Sequence, residues 1–123
     1  MKASELTGAQ LDYWVARVLG DRHVRIVGEE EHERCETRFS DQWPWDRFMP
    51  SRAWMISGPL VERFKLSLDY RPTINEWAAG CRRLDDGLIS TGFGETAPIA
   101  VCRAIVIACI GDDVQFDTES APA

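Results

Sequence analysis

The sequence predicts a small α+β domain in which two helices pack on an antiparallel sheet, in the order helix, strand, strand, strand, helix. Three observations carry this reading. An apolar stripe of helical period lies near the N-terminus, period-two alternation occupies the middle, and a helix-length apolar run sits near the C-terminus. The 123 residues, 45% hydrophobic and 28% charged, suit one domain with a buried core and exclude wholesale disorder or a fibrous coil. Residues 1–117 are read as that single domain and 118–123 as a flexible tail.

Thr7, with Gln10 three residues on, has capping-box spacing, so the first helix is expected to start there. Leu11, Trp14, Val15, Val18 and Leu19 then recur at helical spacing as one apolar stripe, and Gly20 supplies a left-handed stop. In His23 to Val27, Val24 and Ile26 share one face of a half-buried strand that Gly28 closes. Glu29 to Arg38 is too charged for an apolar stripe and reads as a solvated turn or an exposed strand pair. Phe39 to Ile56 holds five aromatics and two prolines without any period, and reads as one long irregular loop.

Ser57 ahead of Pro59 suits a helix of one or two turns. Phe64, Leu66, Leu68 and Tyr70 alternate with Lys65, Ser67 and Asp69, which gives a strand with one apolar face, ended before Pro72. A weaker strand, Ile74 to Cys81, carries Trp77 and follows a turn at Arg71-Pro72-Thr73. Arg82 to Glu95, with Asp85-Asp86-Gly87 and Gly92-Phe93-Gly94, reads as a second loop. Thr96 is expected to cap the last helix, which tolerates Pro98 in its first turn and stops at Gly111. Apolar residues cover nearly its whole circumference from Ile99 to Ile110, which predicts a central, heavily buried helix. Val114 and Phe116 are read as a brief strand.

The net charge of -6 argues against a broad grip on nucleic-acid phosphates. Acidity is segregated: residues 29–48 sum to -4 and residues 84–123 to -6, around a middle, 49–83, of +3. Nucleic-acid contact, a minor reading, would use Arg52, Arg63, Lys65, Arg71, Arg82 and Arg83 on the polar sheet face. The N-terminal stretch lacks the apolar core of a secretory signal. The run Ala97 to Ile110 falls short of the roughly 18 residues that span a bilayer and includes Arg103, so a cytoplasmic protein without membrane contact is expected. Cys35, Cys81, Cys102 and Cys109 form no CxxC pair and are expected as free thiols.

Three blocks carry a family likeness. Ser4-Glu5-Leu6-Thr7-Gly8-Ala9-Gln10-Leu11-Asp12, Trp54 with Ser57-Gly58-Pro59-Leu60-Val61-Glu62-Arg63, and Thr96-Ala97-Pro98-Ile99-Ala100-Val101-Cys102-Arg103 with Gly111-Asp112 resemble the NinX-like family of phage proteins. The stretch Glu29 to Asp46 is longer and more charged than the family pattern. The resemblance implies a small cytoplasmic protein of a tailed phage or prophage, and it brings no catalytic residues.

Candidate binding residues are Trp43, Trp45, Trp54, Glu62, Trp77 and Arg103. Trp43 and Trp45, around Pro44, are the expected exposed pair, because rigid aromatics in loops offer a partner large contact area at low entropic cost. Trp54 and Trp77 are expected to be structural or to line one pocket. Arg103, the one charge in its apolar helix, needs a partner, with Glu62 the first expectation and Glu95 or Asp112 next. His32-Glu33-Arg34-Cys35 lacks the second ligand pair of a zinc site, and Asp85, Asp86, Asp112 and Asp113 read as turn residues and helix ends. No nucleophile motif or phosphate-binding glycine loop is present, so no catalytic, metal or cofactor residues are assigned. The leading expectation is a non-enzymatic module that binds a host or phage protein through the aromatic loop 39–56. A small-ligand binder or enzyme with a pocket near Trp54, Glu62, Trp77 and Arg103 is the alternative, and homo-oligomers are compatible with either.

Overall fold

The computed structural model describes residues 1–115. In chain order it contains helix α1 (Gly8–Val18), strands β1 (Val24–Val27), β2 (Arg34–Thr37) and β3 (Asp46–Arg47), helix α2 (Trp54–Phe64), strands β4 (Ser67–Arg71), β5 (Glu76–Arg82) and β6 (Ile89–Gly94), and helix α3 (Ala97–Cys109). Short 3-10 turns precede α1 (Ala3–Glu5) and join β1 to β2 (Glu30–His32). The strands form two antiparallel sheets, ordered β1-β2-β3 and β4-β5-β6. This is an α+β fold, with one more sheet and one more helix than periodicity alone suggests.

Helix α3 is the centre of the core. Thr96 Oγ1 accepts from the Ile99 N–H at 3.4 Å, and Ala100, Val101, Cys102, Ala104, Ile105 and Val106 are fully buried. One side packs on β5 and β6 and another meets α1 and α2, so Leu11, Trp14, Val15 and Leu60 join the same cluster. The approach to β6 is close because that strand presents Gly92 and Gly94 to the helix; a Cβ on Gly92 would stand 2.3 Å from the Ala104 nitrogen. Gly92-Phe93-Gly94, expected as loop chemistry, is therefore an edge strand. Its glycines sit at every second position, where a side chain would collide with α3.

Other expectations are corrected. Arg34–Thr37 is the middle strand of the first sheet, with Cys35 and Glu36 buried, because neighbouring arginines neutralise the one charge that goes inside. The stretch 39–56 is not one loop: β3 pairs with β2, Pro50 and Ser51 are buried, and α2 begins at Trp54. Pro59 lies inside that helix, where its missing N–H would have met the carbonyl of Met55 on an exposed turn. Phe64 ends the helix instead of opening a strand, and Lys65, in the left-handed region (φ 57°), turns the chain into β4. Thr7 occupies the N-cap position of α1 without a side-chain capping bond, since Gly8 takes φ 55°.

The two ends of the described chain are tied together. Lys2 bridges Asp113, the Ala3 N–H donates to the Asp112 carbonyl at 2.7 Å, and the Val114 N–H donates to Met1 at 2.9 Å. Val114 thus pairs as an isolated bridge neighbour, while Phe116 and the expected tail 118–123 lie outside the described residues. Among the described residues no helix is long and apolar enough to cross a membrane. All four cysteines are free thiols.

Candidate functional site

The first sheet assembles a cationic, aromatic face. Register pairs Arg25 with Glu36 and Glu36 with Arg47, so alternation sets Arg25, Arg34, Glu36 and Arg47 on one side, opposite Ile26 and Cys35. Glu36 accepts from Arg25 Nε at 2.9 Å and Nη2 at 2.7 Å, and from Arg34 Nε at 3.1 Å. These hydrogen bonds hold its carboxyl below the ordinary glutamate range. The Trp45 ring lies between two guanidiniums, Arg25 at 4.1 Å and Arg38 at 4.4 Å from its centroid. Trp45 is consequently half-buried and structural, contrary to the expectation that it is exposed with Trp43.

Beyond this sandwich the segment 39–44 projects outward. Phe39 is 85% and Trp43 58% exposed, and their rings meet edge to face at 6.0 Å. Asp41, in the same segment, lies 3.3 Å from Arg38 Nη2 and 3.5 Å from His23 Nδ1. At its foot is a cavity of about 410 Å³ lined by Gly20, Asp21, Arg22, His23, Arg38 and Phe39. A second, of about 380 Å³, shares Gly20, Asp21 and Arg22 with it and extends to Arg17. Gly20, at φ 88°, lets the chain leave α1 sharply enough to form this groove.

The remaining predicted residues come from three elements, α2, β5 and α3. Trp54 sits half exposed in the first turn of α2 with its ring against Gly58, and Glu62 is exposed two turns later. Trp77 is partly buried on β5 and meets Tyr70 edge on, at 5.4 Å. Arg103 does not pair with Glu62: its Nε donates to the Leu6 carbonyl at 3.0 Å and its Nη1 to the Phe93 carbonyl at 2.7 Å. Backbone oxygens replace the expected carboxylate, while Glu76 and Glu95 act on its charge through space. The basic middle also disperses. Arg71 pairs with Asp69, Arg82 donates to the Gly87 carbonyl, Arg83 pairs with Asp85 and Asp86, and Arg71 and Arg82 stand at opposite ends of the second sheet.

Burial dominates the titratable groups of the interior and holds its thiols in the protonated form. Burial, with the Asp12 charge second, pushes the Cys35 thiol up to about 12, and burial pushes Cys81 up to about 11 and Cys102 well above its usual range. Asp12, buried on α1, accepts from the Ser51 N–H at 2.8 Å, and burial raises its carboxyl to about 6. Among the described residues no three His, Cys, Asp or Glu side chains gather as metal ligands.

Sequence reasoning missed the groove because the cations at its mouth come from three elements and are diluted by Glu29 to Glu33. The available signal was the alternation of Arg34, Glu36 and Arg38, in step with His23 and Arg25. A second surface it missed is aliphatic: Leu84 (77% exposed), Leu88 and Ile89 crowd the tip of the β5–β6 hairpin.

Fold and site together define a small α+β protein with an arginine-rich aromatic face. Residues 2–108 match the family described as Bacteriophage P22, NinX, and the chain belongs to that family. No curated protein matches it.

Proposed function

We propose that the protein is a non-enzymatic binding module that docks another protein, of the phage or of its host, through the segment 39–45 and the sheet face beneath it. The single observation that carries this reading is the Phe39–Trp43 pair, held in solvent beside a rigid Arg25–Trp45–Arg38 stack. Large aromatics and arginines dominate the energetics of protein interfaces, and an exposed aromatic pair on a fixed base loses little entropy on binding. The aromatic loop expected over 39–56 contracts to 39–45, because the rest of that stretch is strand, buried turn and helix.

Pull-downs from lysate of phage-infected cells test this. The wild type is compared with a Phe39→Ala, Trp43→Ala variant, whose side chains lie outside the core, so folding is retained. The reading expects partners captured by the wild type and lost by the variant. Identical profiles contradict it.

A further inference from the structure

We infer that the groove running from Arg17 through Arg22 and His23 to Arg38 and Phe39 takes the acidic side chains of a polypeptide segment. This rests on the protein-docking reading above and specifies the chemistry of the partner. The two cavities share Gly20, Asp21 and Arg22 in their linings, so both open at the turn that follows α1. Their linings carry three guanidiniums and one carboxylate, Asp21, with the exposed Asp41 carboxylate reaching in beside Arg38 and His23, in a chain whose net charge is -6. Arg22 has no ion-pair partner among the described residues and is exposed.

The molecule already holds a carboxylate at the Arg38 end of this groove. Asp41 sits between Arg38 and His23, yet its own side chain is 83% exposed on a projecting segment, so an incoming carboxylate of the same chemistry can displace it. Phe39, at the same end, supplies an apolar neighbour for the methylene groups of a glutamate. Charge complementarity selects an anion. Within the roughly 8 Å screening length at physiological salt, carboxylates seated in the groove are governed by its guanidiniums. A long nucleic-acid strand would also meet the acidity of the rest of the chain.

The test is fluorescence anisotropy with a fluorescein-labelled octaglutamate peptide and, separately, a labelled dodecathymidylate, at physiological salt. Arg22→Glu is expected to weaken peptide binding by about tenfold, the effect of about 1.4 kcal/mol, without lowering Tm. Asp41→Asn, which removes the competing carboxylate, is expected to tighten it severalfold. Peptide binding absent, or indifferent to both substitutions, overturns the inference; so does a thymidylate that binds more tightly than the peptide with the same Arg22 dependence. If the inference fails while Phe39→Ala, Trp43→Ala still strips partners from the pull-down, the docking surface stands without an acidic partner. If the peptide responds as expected and the pull-down profiles are identical, it is the aromatic docking reading that fails.

Discussion

Single residues show how charge is placed inside this protein. Asp12 is fully enclosed on α1 and linked to the Ser51 N–H. Its carboxyl is raised from 3.8 to about 6 by burial, which the Ser51 hydrogen bond only partly offsets. A group whose folded value lies above its unfolded value stabilises the fold when protonated. That contribution is complete below about pH 4 and is lost as pH rises through about 6. Asp12→Asn keeps an acceptor for Ser51 and does not titrate. Relative to the wild type, it should therefore gain about 3 kcal/mol between pH 3 and pH 7, measured by urea denaturation. A difference that stays constant across that range contradicts the buried-carboxylate account. The two tryptophans around Pro44 separate in the same experiment. Trp45→Ala loses a ring stacked between two guanidiniums and should cost about 2 kcal/mol, whereas Trp43→Ala should change stability by less than about 0.5 kcal/mol. Arg103 shows why a lone buried charge is hard to assign from sequence: its partners are carbonyls of Leu6 and Phe93, and every residue has one of those.

At the level of elements, β6 packs close against α3 because Gly92 and Gly94 face the helix. Gly92→Val places carbon against the Ala104 and Ala100 backbones and should cost about 3 kcal/mol in urea denaturation, while Thr91→Ala, exposed on the same strand, should stay within about 0.5 kcal/mol. Equal effects would mean that the strand does not face the helix as described. This strand was illegible in the sequence because its inward positions are Ser90, Gly92 and Gly94, which carry no apolar signal although they are the packed side. Elements with side chains on the buried face were legible: the α1 stripe, Val24 and Ile26 in β1, Leu68 in β4, and the whole of α3. Helix α2 was partly hidden by Pro59 and by Trp54 and Met55, exposed aromatic and apolar residues that resemble a loop. The middle strand β2 was hidden by charge, since its buried Glu36 is tolerable only after folding brings Arg25 and Arg34 to it.

For the whole molecule, the segregated charge of the sequence does not survive folding in the form that segment sums suggest. The stretch 29–48 is acidic on paper, yet its arginines at 34, 38 and 47 join Arg25 on one face. Of the nominally basic middle, Arg71 and Arg83 are answered by neighbouring aspartates and Arg82 by a carbonyl, while Arg52 and Arg63 lie away from the second sheet. Of the candidate site, Trp43 was legible as an exposed aromatic in an aperiodic segment. The groove was not, because it exists only where the end of α1 meets the first sheet. Photo-crosslinking in infected cells tests the central claim most directly, with a benzophenone amino acid placed at position 43, at Thr73 on the β4–β5 turn, or at Leu84 on the aliphatic hairpin tip. Discrete protein adducts are expected at position 43 and none at 73 or 84. Adducts confined to 84, or no difference among the three positions, would contradict it.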